Sequence, residues 1–156
     1  MDCKERLENY LRENKVPYQT QHHAQVFTAQ EVAASEHVPG KLVAKVVMAI
    51  ADGKLVMLVL PAPQHVDLAK AAEAVGAREI RLAREEEYEK SFPDCQVGAM
   101  PPFGNLYGIP VYVDETLTSD PYIVFQAGTH TDTMSLRYAD FARLVEPKIA
   151  KFGRYA

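Results

Sequence analysis

The spacing of apolar residues at the start of the chain predicts one helix followed by one strand. Leu7, Tyr10 and Leu11 recur at the three- and four-residue spacing of a helix face. The first dozen residues are therefore predicted to form an amphipathic helix that ends near Pro17. A short strand is predicted to follow over residues 18–22.

A second helix is predicted from its N-terminal signals. Thr28 and Glu31 have the spacing of a capping box, in which each side chain satisfies a free backbone amide. Phe27 and Val32 stand where a hydrophobic staple requires apolar residues. The helix is predicted to start at Thr28 and to end near His37.

Two apolar runs in the middle of the chain predict a central β-hairpin. Residues 42–50 and 55–60 are rich in Val, Leu and Met, and Asp52-Gly53 between them is typical of a two-residue turn. Neither run alternates with polar residues, so we expect both faces of the pair to be covered. The pair is therefore predicted to lie centrally in a sheet with helices packed around it.

The rest of the chain adds further helices and strands. Three helices are predicted, from Asp67 to a closing Gly76, over residues 84–90 and over 138–145, with strands at 79–82, 111–114, 122–126 and 134–137. A chain of 156 residues fits one domain. We therefore expect residues 1–156 to form a single α/β (α+β) domain with a mixed, largely antiparallel sheet surrounded by helices.

Composition and charge limit the partners. No apolar run approaches the roughly 18 residues of a membrane span, and the mixed charge of the first residues is not that of a signal peptide. We therefore expect a cytoplasmic protein with no membrane partner. The 17 basic and 21 acidic residues give a net charge of −4, which argues against DNA binding or a general grip on nucleic acid. Any RNA contact should be local.

The C-terminal stretch is an exception to the acidic balance. It carries five basic residues against two acidic ones: Arg137, Arg143, Lys148, Lys151 and Arg154 face Asp140 and Glu146. These residues either contact phosphate or form a solvated helix end, which is the more common meaning of such a charge run.

The cysteines and histidines suggest no metal site. Cys3 and Cys95 form no CxxC pair, and we expect both to be reduced thiols in a cytoplasmic protein. The histidines lack the local spacing of zinc ligands, so no metal is expected. A Cys95 nucleophile with His130 as its base is a rival catalytic arrangement, but no local pattern supports it.

Lys45 is a candidate functional residue. It is the only charge between Leu42 and Ile50, in a strand predicted to be buried. Burial of an ammonium group is costly and lowers its pKa, and such lysines are candidate site residues when they lie in clefts. The alternative is that Lys45 reaches water from the end of the strand, and the pattern alone slightly favours it.

Two later segments have the composition of functional loops. Residues 98–102 combine Gly98 and Pro102 and precede Phe103-Gly104, so this loop either aims backbone amides at an anion or is simply a tight turn. Gly128 and His130 follow an apolar strand, where the imidazole would bind substrate, transfer a proton or merely face solvent.

In their order and spacing these elements resemble the YbaK/ProX family of aminoacyl-tRNA deacylases, which also occurs as the editing insertion of bacterial prolyl-tRNA synthetases. The resemblance spans nearly the whole chain. It rests on the opening helix, on residues 27–33, on Lys45 in its strand, on the GxxxP loop from Gly98 to Pro102, and on residues 128–130.

The resemblance implies an activity and a set of site residues. The expected reaction is hydrolysis of the ester between a mischarged small amino acid and tRNA, with the tRNA acceptor end and an aminoacyl-tRNA synthetase as partners and with no cofactor or metal. Catalytic roles are expected for Lys45, Gly98, Pro102 and His130. Substrate contacts are expected at Tyr18, Phe27, Thr28, Val46, Met100, Pro101, Phe103, Gly104 and Gly128.

Val46 departs from the family pattern, because many members have Thr, Ser or Asn directly after the lysine. This difference leaves the amino acid open among Ser, Thr, Ala and Cys, with a lean toward a Ser/Thr or Ala editor. One methyl group is worth only about 1–3 kcal/mol in discrimination, which is why synthetases use a second hydrolytic sieve. The alternative function is a non-catalytic module that binds an amino acid or nucleotide and associates with a synthetase.

Overall fold

The computed structural model describes residues 1–23, 29–36 and 39–155. Within them the helices are α1 (Cys3–Glu13), α2 (Ala29–Glu36), α3 (Leu68–Val75), α4 (Glu85–Tyr88) and α5 (Tyr138–Val145). The strands are β1 (Gln19–His22), β2 (Ala44–Ala51), β3 (Lys54–Pro61), β4 (Gln64–Val66), β5 (Ile80–Leu82), β6 (Val111–Asp114), β7 (Tyr122–Gln126), β8 (Asp132–Arg137), β9 (Lys148–Ala150) and β10 (Gly153–Tyr155). The predictions for Phe27, Thr28 and His37 lie outside the described residues.

A five-stranded mixed sheet forms the centre of the fold, in the order β5-β2-β3-β6-β9. Strands β5, β2 and β3 pair antiparallel, whereas β6 pairs parallel with both β3 and β9. The predicted hairpin is confirmed, because β2 and β3 pair in register around Asp52 and Gly53. Both turn residues have positive φ angles, 48° and 82°, as a type I′ turn requires. The predicted α+β class with a mixed sheet is confirmed.

A second sheet carries the other side of the candidate site. Strands β1, β8 and β7 form an antiparallel sheet in that order. Val43, directly before β2, forms a parallel bridge to Val124 in β7. The start of β2, where Lys45 lies, therefore stands beside β7.

Aromatic packing anchors the segment that follows Gly98. The ring of Phe103 lies 5.6 Å from that of Phe125 and 5.5 Å from that of Phe141, between centroids. All three side chains are fully buried, which is worth about 2 kcal/mol for each large apolar side chain. The residues after the loop are thereby fixed against β7 and α5.

Arg143 is exposed in the last turn of α5, as a solvated helix end would have it, but the residues that follow pair as strands β9 and β10. The buried carboxylate of Asp114 accepts hydrogen bonds from the backbone N–H groups of Phe152 at 2.9 Å and Gly153 at 2.8 Å. Burial raises the pKa of Asp114, but these bonds and those from Thr116 outweigh that effect and lower it. A charged carboxylate thus holds the turn that leads into β10.

The two cysteines are joined in a disulfide, so the expectation of reduced thiols is wrong. Helix α1 packs against the segment after α4, and its first residue, Cys3, donates its N–H to the carbonyl of Asp94 at 3.0 Å. This contact brings the Cα atoms of Cys3 and Cys95 to 4.9 Å, within the range that a disulfide spans. The bridge links positions 92 residues apart, a proximity that no local pattern shows.

No helix in the described part of the chain is both long enough and apolar enough to span a membrane.

Candidate active site

A pocket of about 310 Å³ opens where the start of β2, the segment joining β3 to β4, the loop at Gly98 and the end of β7 meet. We call it the Lys45 pocket. It is lined by Gln30, Val43, Ala44, Lys45, Val46, Ala62, His65, Gly98, Met100 and Gln126. None of these described lining residues is acidic, so the ionised group of the wall is a cation. The pocket therefore suits an anion or a developing negative charge.

Lys45 is held in the wall of this pocket by the backbone. Its Nζ donates a hydrogen bond to the carbonyl oxygen of Ala62 at 3.2 Å, and the side chain is only partly exposed. Burial lowers the pKa of Lys45, because the desolvated ammonium has no carboxylate partner among the described residues. The lysine thus carries an uncompensated charge next to the cavity.

The loop from residue 96 to 100 places backbone atoms in the pocket. Gly98 is exposed and has φ of +85°, a left-handed conformation that glycine adopts without strain. Ala99 donates its N–H to the carbonyl of Gln96 at 3.0 Å, closing a tight turn around Gly98. In the described part of the chain, no hydrogen bond engages the N–H of Gly98 or Met100. Both residues line the Lys45 pocket, so their amides are candidate donors to a ligand.

Gly128 joins this loop to the end of β7. Its N–H donates to the carbonyl of Ala99 at 2.9 Å, and its carbonyl accepts from the N–H of Gln96 at 2.8 Å. A β-carbon at Gly128 would lie 2.7 Å from Cβ of Cys3, so only glycine allows α1 to approach this closely. Gly128 therefore supports the loop from behind.

His130 also contacts the loop. It is buried, and its N–H donates to Oε1 of Gln96 at 2.9 Å. Its Nε2 lies 2.8 Å from the carbonyl oxygen of Val97, and because a carbonyl only accepts, Nε2 carries the hydrogen. Nδ1 lies 3.4 Å from Nε2 of Gln126, where it accepts from the amide. Both ring nitrogens of His130 thus contact protein groups. Of His130 and Gln126, it is Gln126 that lines the pocket.

The other residues expected to contact substrate fall into two groups. Val46 and Met100 line the pocket together with Lys45 and Gly98. The remaining residues of the loop are buried, and they are Pro101, Pro102, Phe103 and Gly104. Of these, Phe103 is a core residue of the aromatic cluster described above.

Tyr18 is not brought to the Lys45 pocket. It lines a separate depression with Tyr122 and Arg137, and its hydroxyl donates to Oε2 of Glu8 at 3.0 Å. Phe27 and Thr28 lie outside the described residues. The hypothesis that Cys95 is a nucleophile with His130 as its base is wrong, because the disulfide leaves Cys95 without a thiol.

Sequence reasoning missed Gln126, His65 and Gln30 as lining residues. Gln126 is the last residue of β7 and lies on the same face of that strand as Val124. The alternation of side chains along a strand could have predicted this shared face from the sequence. His65 lies in β4, a strand of three residues that is too short for periodicity to reveal. Gln30 lies in α2, whose position over the pocket depends on tertiary packing.

One group of potential metal ligands occurs in the described residues. Atoms of Cys3, Asp94 and Cys95 lie within 4.8 Å of one another. Both sulfurs are committed to the disulfide, and none of the three residues lines the Lys45 pocket.

Fold and site define an α+β domain with a small, cationic pocket, whose described lining residues include no carboxylate, formed around a strand lysine and a glycine-bearing loop. A model of the aminoacyl-tRNA editing domain matches residues 23–144, which is most of the chain. The chain belongs to the aminoacyl-tRNA editing domain family, which confirms the resemblance found in the sequence.

The chain is also similar to parts of two kinds of curated protein. It is 30% identical over 102 residues to the multifunctional Ser/Thr-tRNA deacylase ProXp-y of Escherichia coli, covering 65% of this chain and 60% of that protein. It is 34% identical over 87 residues to a proline–tRNA ligase of Acidithiobacillus ferrooxidans, covering 56% of this chain and 15% of the ligase. The matched region thus spans less than two thirds of either relative.

A solved structure has a similar fold. It is described as a putative trans-editing enzyme for prolyl tRNA synthetase, and it superposes with a TM-score of 0.83. The match covers 99% of this chain and 98% of that one at 20% sequence identity.

Proposed function

We propose that this protein is a trans-acting aminoacyl-tRNA deacylase that hydrolyses the ester of a mischarged small amino acid on tRNA. The observation that carries the proposal is the juxtaposition of the Lys45 ammonium and the free amides of Gly98 and Met100 in one small pocket. Family membership and the similarity to a Ser/Thr-tRNA deacylase support the same activity.

The reaction needs only water and a stabilised oxyanion. Water attacks the ester carbonyl, the carbonyl oxygen becomes negative, and the C–O bond to the ribose of the terminal adenosine then breaks. The attacking water gives up one proton and the ribose oxygen takes one up, so the products are the free amino acid and deacylated tRNA. The amides of Gly98 and Met100 and the ammonium of Lys45 stabilise the negative charge, which is usually the largest contribution to acyl-transfer catalysis.

The supporting residues act through the loop. Pro102 restricts the backbone after Met100, and His130 and Gly128 hold residues 96–99 from behind. In this proposal His130 is a positioning residue, because its ring nitrogens contact Val97 and Gln126.

The size and polarity of the pocket restrict the amino acid. A volume of about 310 Å³ must also admit part of the terminal ribose, which favours Ser, Thr, Ala or Cys over larger side chains. Val46 and Met100 provide apolar wall, whereas Gln30 and Gln126 provide amides that can bind a hydroxyl. We propose the tRNA acceptor end as the partner and, from the similarity to a prolyl-tRNA ligase, association with a synthetase in the cytoplasm.

The test is deacylation of Ala-, Ser-, Thr- and Cys-tRNA by the purified protein, with the Lys45→Ala variant beside it. We expect the wild type to release at least one of these amino acids and Lys45→Ala to lose about 10²-fold in rate. The double variant Cys3→Ser/Cys95→Ser is the control that retains the pocket. Binding of aminoacyl-tRNA without release of amino acid would instead identify a non-catalytic binding module.

A further inference from the structure

The basic C-terminal residues of this chain do not act as one patch, because most already have partners. Three of the five are engaged: Arg143 pairs with Asp140 at 3.4 Å, Lys151 pairs with Glu115 at 3.5 Å, and Lys148 stands 5.9 Å from the centroid of the Tyr112 ring. Arg137 lines the separate depression that contains Tyr18. Arg154 is exposed and has no ion pair among the described residues.

Strand register places Arg154 beside His65, a residue that lines the Lys45 pocket. In the antiparallel pair of β4 and β10, Arg154 lies directly opposite His65, and such partners project from the same face. His65 is exposed and lines the pocket. Gln64, its neighbour in β4, points inward and donates to Oγ1 of Thr116 at 3.0 Å. The alternation therefore places His65 and Arg154 together at the outer rim.

The rim has the chemistry of an anion site. Arg154 offers a guanidinium with N–H donors, and the imidazole of His65 offers a further N–H. The described residues that line the pocket include no carboxylate that would compete for these donors. Lys45 adds a third cationic or donor group deeper in the same cavity. Although the chain has a net charge of −4, this local cluster of donors would attract one small anionic group to the mouth of the pocket.

We propose that His65 and Arg154 form a phosphodiester-binding site at the mouth of the Lys45 pocket. The inference rests on the proposed function, in which the aminoacyl ester lies beside Lys45 and Gly98. The ribose of the terminal adenosine then lies at the mouth, and its 5′ phosphate is the first charged group of the tRNA outside the cavity. Arg154 and His65 hold that phosphate and so set the position of the ester.

The experiment compares two substrates that differ in this phosphate. One is the mischarged tRNA that the wild type hydrolyses fastest, and the other is the same amino acid esterified to adenosine, which has no phosphate. For Arg154→Gln we expect kcat/KM on the tRNA to fall roughly tenfold, as for loss of a charge-assisted hydrogen bond at an exposed site. Its kcat/KM on the nucleoside ester should be unchanged. His65→Asn should show a smaller loss with the same selectivity.

Arg143→Gln is the matched control, because it removes the same charge from the same C-terminal region at a residue already paired with Asp140. It should leave both substrates unaffected. The salt dependence gives a second readout: the slope of log(kcat/KM) against log[salt] should become shallower by about 0.7 in Arg154→Gln, as expected for one single-strand phosphate contact.

Each alternative result has a defined meaning. Equal losses on both substrates would make Arg154 a structural residue, and no loss on either would remove it from recognition; both results overturn the phosphate site. If the wild type hydrolyses neither substrate, the proposed activity fails, and the phosphate site is then decided by binding of the trinucleotide CCA. Weaker binding of CCA to Arg154→Gln than to the wild type would sustain the site, whereas equal or absent binding would overturn it.

Discussion

The imidazole of His130 holds the carbonyl oxygen of Val97, with 2.8 Å between Nε2 and that oxygen. Val97 directly precedes Gly98, so this hydrogen bond fixes the loop that presents its amides to the pocket. The side chain that sequence reasoning considered for proton transfer is instead oriented by backbone and amide groups. The consequence is a loop that is formed before substrate binds, which is what electrostatic stabilisation of an oxyanion requires.

Replacement of His130 should affect the rate through the loop. We expect His130→Ala to lower kcat by about 10²-fold, because a displacement of about 1 Å near the reacting atoms has such an effect. His130→Gln retains an N–H donor toward Val97 and should recover much of the loss. Rates measured across pH should keep the same profile in both variants. Equal inactivity of both variants, with an altered profile, would show that the imidazole transfers a proton.

We expect Lys45 to lower the stability of the folded protein and to be necessary for its activity. Lys45→Met removes a desolvated ammonium, so we expect a higher thermal midpoint together with about a 10²-fold lower deacylation rate. Burial lowers the pKa of Lys45 in the folded protein. Between that lowered pKa and the ordinary lysine value, the unfolded chain binds more protons, and the stability of the wild type rises with pH. The stability advantage of Lys45→Met should therefore be largest near neutral pH and shrink in alkali.

Denaturant unfolding of both proteins at several pH values measures this difference. Leu60 is the register partner of Lys45 in β3, and Leu60→Met serves as a control for added methionine without a change of charge. A stability advantage of Lys45→Met that stayed constant with pH would contradict the role of desolvation.

Local sequence signals predicted some elements well and others not at all. Strands β6 and β7 and helix α5 have the predicted bounds, because apolar spacing and flanking turn residues lie within each segment. Strands β4, β9 and β10 have three residues each and exist because distant partners pair with them. In the site, Lys45 stood out as a lone charge in an apolar strand and Gly98 as part of a loop with Gly and Pro, and the family resemblance made both of them site candidates. His65 and Gln126 are ordinary residues that tertiary structure alone brings to the pocket.

The left-handed conformation of Gly98 should matter for activity more than for stability. Gly98→Ala has room for its β-carbon, which would lie 3.5 Å from Cε1 of His130, but φ of +85° strains any other residue. We expect a loss of about 1–2 kcal/mol in the free energy of unfolding, with at least a tenfold loss of deacylation rate as the amides turn away. Gly76→Ala is the matched control, since its φ is +76° with no atom within 4 Å. It should show the same destabilisation with full activity, and a similar rate loss in both variants would exclude a specific role for Gly98.

The disulfide between Cys3 and Cys95 should stabilise the fold without taking part in the reaction. It closes a loop of 92 residues, and the free energy of unfolding should fall by about 2–4 kcal/mol when it is removed. Wild-type protein treated with a dithiol, which reduces the bridge to two thiols, should unfold at the same denaturant concentration as Cys3→Ser/Cys95→Ser. The double variant itself should not respond to the dithiol.

Because the bridge only tethers α1 behind Gly128, the double variant should still deacylate tRNA at temperatures where it is folded. Loss of activity in a folded double variant would mean that the loop depends on this tether, and equal stability with and without dithiol would mean that the bridge contributes nothing to folding.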